Sequence, residues 1–572
     1  MATRRRPPGE EKHEYFALKK FGSVNTQPSR TALKEDEFSW LENFMPIGDS
    51  YAPSVPAPDT ATATLSGSIS SMHQITIGST DYMFCFTAAG GAEAVNLSGG
   101  TVTTVAAGTT FVSPSIDQWK SERAVIVDPT NGFFSWDGTT FLSPGNLATI
   151  SVSIGGSGYT STPTVTLTGG TTGTTASATA TLVDSAVSSI TLVTYGDSYT
   201  ASPTVGFSGG GGSGTTASAW IMPNGQVGSA IAVYSGRVWI ANGRVLSYTA
   251  PNNWVDTDTA DAAGSQTITE GFLRQKVYGL KALDNYLYIF ADSSIFIIGD
   301  LKVTGSITTY SFTNLSSTTG TTLPNSITSM ERAILFMNKY GVYAVFGASV
   351  QKISQALDGV FPDIDFTQPV SAGLCTIYNI LCYVVTFTYD GASATRTIQA
   401  VYFGGKWFFT SQGTALTFTA PAQISGQLFM YATSGTDVRK LYQDTTSTIA
   451  TTMTTALMPL ESAIFDKQFN RIGVEFTAPS LTTLTVQIQT EGANNYVSAS
   501  SLNYVRWLNT AQATVTWLNS STQTVQWITT GFTRSINYAD VVGKYLGFSI
   551  TCNNPQVIIN GILAEYEPRA SW

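Results

Sequence analysis

Short apolar runs joined by tight turns recur along most of the chain. Seven such pairs of runs, each with Gly, Asn or Asp at its turn, occupy residues 81–97, 123–141, 236–248, 285–300, 332–347, 380–410 and 426–444. Those turn residues favour the backbone conformations that short β-hairpin loops require. The pattern therefore predicts seven antiparallel hairpins.

The spacing of the hairpins indicates how they are arranged. Once an insertion of about 74 residues after the second pair is set aside, the hairpins begin roughly 40 to 50 residues apart, a period typical of β-propeller blades. We predict an all-β fold whose β-propeller, of six or seven blades, occupies residues 61–148 and 223–447. An irregular stack of β-sandwiches is the alternative arrangement of the same hairpins.

The insertion, residues 149–222, repeats itself. Tyr159 and Pro163 recur 40 residues later as Tyr199 and Pro203, within the matching stretches "GYTSTPTV" and "SYTASPTV". The segment has no Lys or Arg, and its glycine run "GGGGSG" is not followed by the Lys of a phosphate-binding loop. We predict an inserted tandem-repeat β module that projects from a loop between blades.

Beyond the hairpins, residues 448–572 alternate apolar and polar positions in the manner of sandwich strands. The alternation is clearest in 470–492 and 544–568, which predicts a C-terminal β-sandwich. Between these stretches lie three decapeptides that place an indole at an even period of ten, at Trp507, Trp517 and Trp527. An even period keeps side chains on one face of a strand, so we expect a stacked ladder, with sugar binding as the alternative.

Composition narrows the classes of function. Charged residues make up 12% of the chain and the net charge is −9, whereas tight binding of nucleic acid depends on Lys and Arg at the phosphates. The four cysteines form no CxxC pair, so we expect buried free thiols rather than a zinc site or a disulfide framework. No apolar run is long enough to span a membrane as a helix, and no signal peptide is predicted at the start.

The sequence predicts no catalytic site, metal or cofactor. Only two histidines are present, His13 and His73, and there is no GxSxG elbow to support a serine nucleophile. We expect His73 to be a hydrogen-bonded strand residue. Two acidic clusters leave a carboxylate pair for glycoside hydrolysis open, although ordinary Asx turns explain them more simply: Asp256, Asp258 and Asp261, and Asp363 with Asp365.

The N-terminal arm, residues 1–60, differs from the rest of the chain. Its first 45 residues hold 15 of the chain's 67 charged residues together with several aromatic residues of the kind usually buried. No strand or helix pattern accompanies them. We therefore expect the arm's aromatic rings to be unpaired within the chain and to become ordered by docking on another chain.

The stretch "FGSVNTQPSRTALKEDEFSWLENFMPIGDSYAPSVP" resembles the N-terminal signature of the tail nozzle proteins of short-tailed bacteriophages. This family is also called tail tubular protein B or packaged-DNA stabilisation protein. The matching features are Phe21-Gly22, Asn25 with Pro28, Trp40-Leu41-Glu42-Asn43, Pro46 with Gly48, and Ser54-Val55-Pro56. The decapeptide run and the all-β body are also similar to that family, whereas the module at 149–222 is an addition to it.

The resemblance implies a structural protein of the virion tail rather than an enzyme. It implies a homohexameric ring below the portal and the adaptor, which closes the DNA channel and conducts genome ejection. Further partners would be tail fibres or spikes, the host cell envelope, and genomic DNA that passes an acidic lumen without specific binding. The assembly interface predicted in the arm comprises Phe21, Asn25, Pro28, Phe38, Trp40, Asn43, Phe44 and Pro46.

The main alternative is a glycan-binding or glycan-degrading tailspike or receptor-binding protein. Exposed tryptophans and paired acidic residues would favour it, and the release of oligosaccharide from a host polysaccharide would test it. A surface adhesin is a third possibility, but it requires an anchor that the sequence does not indicate.

Overall fold

The structure is a computed structural model that describes residues 13–106, 108–271, 273–391, 394–478, 482–492, 494–500, 517–518, 524–525 and 531–569. In these ranges the regular elements are β-strands and four single-turn 3-10 helices, Thr259–Asp261, Pro324–Ser326, Gln355–Leu357 and Phe361–Asp363. Within the same ranges, no helix is long and apolar enough to cross a membrane.

Seven four-stranded antiparallel units, called blades 1 to 7, make up most of the described chain. Blades 1 to 3 consist of Ile69–Ile77, Thr80–Thr87, Ala92–Asn96 and Val102–Thr104; Ser115–Trp119, Arg123–Asp128, Gly132–Trp136 and Phe141–Leu142; and Ala230–Tyr234, Arg237–Asn242, Val245–Tyr248 and Gly264–Thr267. Blades 4 and 5 consist of Val277–Leu283, Tyr286–Ala291, Ile295–Thr304 and Ile307–Ser316; and Thr328–Met330, Ala333–Asn338, Gly341–Phe346 and Ser349–Lys352. Blades 6 and 7 consist of Ser371–Ile377, Ile380–Gly391, Ala394–Phe403 and Lys406–Thr410; and Phe418–Ile424, Gln427–Ser434, Asp437–Lys440 and Ala61–Thr64.

The blades form a closed ring, which confirms the predicted propeller. The first strand of blade 7 contacts the first strands of both blade 6 and blade 1, so these strands lie innermost. Blade 7 is completed by Ala61–Thr64, which pairs antiparallel with Asp437–Lys440. Because that outer strand comes from the start of the chain, the two ends of the propeller are hydrogen-bonded into one sheet.

Apolar side chains fill the spaces between neighbouring blades. Trp239 of blade 3 and Phe296 of blade 4 lie in one such cluster, and both are fully buried. Phe290 and Phe336 join blades 4 and 5, with ring centroids 5.3 Å apart. Blades therefore bury apolar side chains on both faces, which is why their central strands read as continuous apolar runs in the sequence.

The inserted module lies between the last strand of blade 2 and the first strand of blade 3. Its strands are Leu147–Ser157, Thr164–Thr168, Ser177–Val183, Ala186–Thr194, Thr204–Ser208 and Ser213–Ile221. The two repeats are related by local two-fold symmetry, because Thr166 pairs with Gly206, its counterpart 40 residues on. The same symmetry appears in two bonds, Thr160 N–H to the Gly210 carbonyl (2.8 Å) and Thr200 N–H to the Gly170 carbonyl (2.7 Å).

The C-terminal part is a β-sandwich of two sheets around an apolar core. One sheet contains Glu14–Leu18, Ile558–Pro568, Lys467–Ala478 and Gly531–Gly543, with Ala52–Pro53 beside Ile558–Pro568; the other contains Thr451–Thr455, Gly547–Cys552, Thr483–Gln489 and Asn494–Ser500. The short strands Trp517–Leu518 and Thr524–Val525 pair with each other. The predicted ladder depends on Trp507 and Trp527, which lie outside the described residues.

Candidate functional site

The arm holds the propeller and the sandwich together. Its strand Phe38–Glu42 is parallel to Lys406–Thr410 of blade 6 through Glu42 and Phe409, and antiparallel to Thr451–Thr455 of the sandwich. Blade 6 and one sheet of the sandwich thus become a single nine-stranded sheet. The signature segment occupies the joint between the two parts of the molecule.

Three aromatic side chains of the arm, Phe21, Phe38 and Phe44, are fully buried within the chain itself. Phe21 and Phe38 stack with ring centroids 6.0 Å apart. All three belong to the apolar core that blade 6 shares with the sandwich. The expectation that the arm's rings lie unpaired until another chain binds is wrong, because the chain's own core surrounds these rings.

The polar residues of the signature fix the joint by hydrogen bonds. Asn43 has a φ of 59°, a left-handed conformation that asparagine tolerates better than most residues. Its Nδ2 donates to the Ser411 Oγ (3.0 Å) and to the Ala450 carbonyl (2.7 Å), and its Oδ1 accepts from the Ser411 N–H (3.0 Å). One side chain therefore ties the end of blade 6 to the first residues of the sandwich.

Trp40 is held by a second polar group at the joint. Its ring stacks on Phe409 with centroids 4.5 Å apart, and its indole N–H donates to Glu42 (2.8 Å). The buried carboxylate of Glu42 also accepts two bonds from Arg396 of blade 6, at 2.6 and 2.8 Å. Such bidentate, charge-assisted pairs fix orientation as well as adding energy.

The predicted assembly interface divides into two groups. Five of its residues are buried, Phe21, Phe38, Asn43, Phe44 and Pro46, and three are half-buried, Asn25, Pro28 and Trp40. A side chain without exposed surface does not contact a second chain, so an assembly role stays a prediction for the half-buried three. The Asn25 backbone N–H donates to the Phe38 carbonyl at 2.9 Å, which fixes this turn against the joint.

The axis of the propeller is a narrow polar cavity of about 310 Å³ that His73, Asp117 and Lys281 line. The Asp117 carboxylate accepts from the Val233 N–H (2.6 Å), although burial raises its pKa above the ordinary value. His73 lies within the strand Ile69–Ile77, and its buried Nε2 has no hydrogen-bond partner among the described residues. The expectation that His73 lies in a strand is confirmed, whereas the expectation that it is hydrogen-bonded is wrong for Nε2. Burial, aided by the charge of Lys281, lowers the pKa of His73 to about 4.

A larger open groove of about 740 Å³ lies where the inserted module meets the propeller. The module contributes one face of its two-stranded ribbon, with Ser151 opposite Ser218 and Thr149 opposite Trp220. The far side is formed by blade 2, by the loop after the third strand of blade 3, and by the hairpin tip of blade 4. We call this space the module groove.

Trp220 also borders a second groove of about 510 Å³, which Thr200, Ser202 and Asn224 line. The half-buried Trp220 therefore lies, with Asp256 and Asp261, at the border of two adjoining polar grooves. Pockets of this size accommodate small organic ligands.

The loop opposite Trp220 is held in one conformation by buried polar groups. Arg237 is fully buried, and its guanidinium donates to the Thr249 carbonyl (2.5 Å), the Ala262 carbonyl (2.8 Å) and the Thr308 Oγ1 (2.8 Å). Those contacts fix both ends of the loop and tie it to blade 4. The acidic side chains of the loop are therefore presented from a rigid support.

Asp256 is the buried carboxyl group of that loop. Burial raises its pKa, and the nearby charges of Asp261 and Asp258 act in the same direction. The Asp258 backbone N–H donates to it at 2.9 Å, and both this bond and the neighbouring Trp220 side chain partly oppose the shift of the pKa. Asp256 and Trp220 both line the two grooves.

Two of the other acidic residues, Asp258 and Asp365, form turns. Asp258 accepts from the Ala260 N–H (2.9 Å) and Asp365 from the Thr367 N–H (2.9 Å), as Asx turns do. The hydroxyl and the amide of Thr367 lower the pKa of Asp365. In the described part of the chain, no group of three or more His, Cys, Asp or Glu residues is placed to hold a metal ion.

Sequence reasoning did not single out Trp220. The residue lies in "ASAWIM", at the end of the second repeat, where the first repeat has "ASATAT". That departure from the repeat was the one signal available. Asp256, which lines the same groove, is predictable only as part of an acidic cluster, because it lies 36 positions further along the chain.

The described strands form a seven-bladed β-propeller that carries an inserted module and a C-terminal sandwich. No protein-family model and no curated protein matches the chain. Among solved structures it is similar to Raptor of Chaetomium thermophilum, with a TM-score of 0.35 and 8% identity, over 68% of this chain and 30% of Raptor. It is also similar to U3-55K (TM-score 0.32, 8% identity, 66% of this chain and 96% of that one) and to BamB of Moraxella catarrhalis (0.31, 12%, 74% and 97%). Likeness at this level carries no argument about function.

Proposed function

We propose that the chain is a structural protein of a short-tailed phage tail, one copy of the nozzle ring that closes the DNA channel and conducts ejection. The observation that carries the proposal is the position of the signature segment. The stretch that resembles the nozzle family, residues 21–56, builds the joint between propeller and sandwich. A motif with a role in architecture rather than in chemistry fits a structural protein, so the proposal assigns no catalytic step.

The exposed edge strand of the sandwich is the feature that supports the proposal of a ring of identical copies. Gly531–Gly543 is the last strand of its sheet among the described residues, and it exposes Phe532 (58%), Ile536 (58%) and Tyr538 (79%). An edge strand that carries exposed apolar side chains is a ready surface for another chain. In this proposal it contacts the neighbouring copy of a homohexamer, while the half-buried residues of the arm face the adaptor.

Charge and channel size determine the path of DNA in the proposal. The propeller axis is a cavity of about 310 Å³ between close innermost strands, too small for a duplex. DNA would pass through the centre of the ring of copies instead. A chain with a net charge of −9 would repel the phosphates there and limit sticking during ejection.

Immunogold labelling of purified virions of the encoding phage, with antibody raised against this chain, tests the proposal. Label confined to the tail tip at one vertex is the expected result. The competing function, a glycan-binding or glycan-degrading tailspike, predicts label on fibres or spikes. Label there, or no label on intact particles whose denatured proteins react with the antibody, would contradict the nozzle assignment.

The acidic lumen has its own test. In a reconstructed ring, the side chains that face the channel should carry a net negative charge. A net basic lumen would contradict this part of the proposal while leaving the location in the virion untouched.

A further inference from the structure

We propose that the module groove binds a neutral oligosaccharide, with the Trp220 indole as the platform for a sugar ring. The inference concerns the isolated chain and does not rest on the nozzle assignment. It depends on the groove's shape, on the chemistry of its lining, and on the way Trp220 is held.

The shape fits an extended ligand. The module groove of about 740 Å³ and the adjoining groove of about 510 Å³ share a border that is lined by the half-buried Trp220 together with Asp256 and Asp261. A chain of several sugar units that crosses Trp220 would occupy both. A compact ligand such as a nucleotide base would use only one of them.

The lining fits a ligand rich in hydroxyl groups. The module side presents the hydroxyls of Thr149, Ser151, Ser153 and Ser218, and the loop opposite presents the amides of Asn252 and Asn253. Hydroxyl and amide groups both donate and accept hydrogen bonds, as a polyol requires. An indole adds an apolar face beside them, which suits the C–H face of a pyranose ring.

The charges argue against an acidic ligand. The charged residues that line the module groove are Lys120, Glu122, Asp256 and Asp261, so carboxylates outnumber the single ammonium. The adjoining groove adds Asp258. A phosphate-bearing or uronic-acid ligand would meet repulsion here, whereas a neutral sugar would gain acceptors for its hydroxyls.

The platform is preorganised. Trp220 and the buried carboxyl of Asp256 line the same groove, and the loop that carries Asp256 is fixed by hydrogen bonds from Arg237. The groove-facing residues of the module come from paired strands, with Ser218 opposite Ser151. Little conformational freedom is therefore lost when a ligand binds, which favours affinity.

Isothermal titration calorimetry of the full chain tests the inference, with cellohexaose, maltohexaose, laminarihexaose and chitohexaose as neutral probes and hexagalacturonate as an acidic one. We expect millimolar or tighter binding of at least one neutral probe and none of the acidic probe. Trp220→Ala should weaken that binding by about tenfold or more, whereas Trp220→Phe should retain part of it.

A blocking variant guards against loss of folding. Ser218 is exposed on the groove face, so Ser218→Arg should abolish binding while the thermal transition stays unchanged. Val193→Arg places the same charge on an exposed position of the module outside both grooves and should bind like the parent chain. No heat from any neutral probe at millimolar concentration would overturn the inference, as would binding that neither Trp220→Ala nor Ser218→Arg weakens.

Discussion

Phe38→Ala distinguishes an arm that belongs to the chain's own core from an arm that waits for a partner. The Phe38 ring is fully buried in the isolated chain and stacks on Phe21. Truncating a fully buried Phe to Ala removes its transfer free energy and leaves a cavity, a loss of about 3–5 kcal/mol. In a cooperative unit of 150–250 residues, each kcal/mol lowers the melting temperature by about 2–4 °C, so the sandwich and its joint should melt roughly 6–20 °C earlier.

Differential scanning calorimetry at two protein concentrations that differ by about tenfold is the assay. An intrachain contact lowers the transition equally at both concentrations, whereas an interchain contact makes the shift depend on concentration. Tyr15→Ala is the matched control, because Tyr15 is another aromatic residue of the arm and is 76% exposed. If Phe38→Ala melts like Tyr15→Ala in the dilute chain, the assignment of the arm to the chain's own core is refuted.

Three further predictions follow from particular side chains. Asn43→Ala should lose about 2–4 kcal/mol of stability in denaturant titration, because three hydrogen bonds at a residue with left-handed backbone are lost. Asn43→Gly should lose less, because glycine adopts a φ of 59° freely. Equal losses in the two variants would show that the backbone conformation of Asn43 does not contribute. His73 has a folded pKa of about 4 against an ordinary value of 6.5, so between these pH values the unfolded chain binds a proton that the folded chain does not. Stability should therefore fall as the pH drops from 6.5 towards 4, by at most about 3 kcal/mol. The melting temperature of His73→Gln should depend less on pH in that range, and an unchanged pH dependence in this variant would contradict the prediction. The four cysteines are buried, and burial raises the pKa of their thiols, that of Cys382 to about 12. Ellman's reagent should therefore label none of them in the native chain and all four after unfolding. Fast labelling of the native protein would contradict this prediction, because it would show that a thiol is accessible.

The propeller was predictable because the central strands of each blade and the turn between them are adjacent in the sequence and carry a recognisable hairpin pattern. Each of the seven hairpins read from the sequence contains the central pair of strands of one blade, and at least half of the residues in the first strand of each pair are buried. The strands at the two sides of a blade carry weaker signals. Ser115–Trp119 includes Asp117 and Gln118, and Ser349–Lys352 alternates exposed and half-buried positions, so neither reads as an apolar run.

The arm was misread because its partners lie far away along the chain. Phe38 pairs with Thr455, and Asn43 bonds to Ser411 and Ala450. A strand of five residues with a polar flank shows no period of its own, and its high charge density suggested a docking segment. Long-range pairing, rather than local propensity, makes this segment a strand.

The candidate groove was hidden for a similar reason. Its parts come from the module, from blade 2, from the loop of blade 3 and from the tip of blade 4, which are separate in the sequence. The module itself is predictable because its two halves share Tyr, Pro and Gly positions. Which face of the ribbon lies against the propeller is not predictable from the repeats, since that depends on packing.

The closure of the molecule by its first strands sets the order in which the protein is completed during synthesis. Glu14–Leu18 pairs with Ile558–Pro568, Phe38–Glu42 with Thr451–Thr455, and Ala61–Thr64 with Asp437–Lys440. At about 5–20 residues per second, the ribosome needs roughly 20 to 100 s to supply those partners. Until these partners are synthesised, the aromatic side chains of the arm lack part of the core that buries them in the complete chain. The first residues synthesised can therefore fold only after the last residues are synthesised. A chain whose synthesis stalls early leaves the arm exposed to chaperones and proteases.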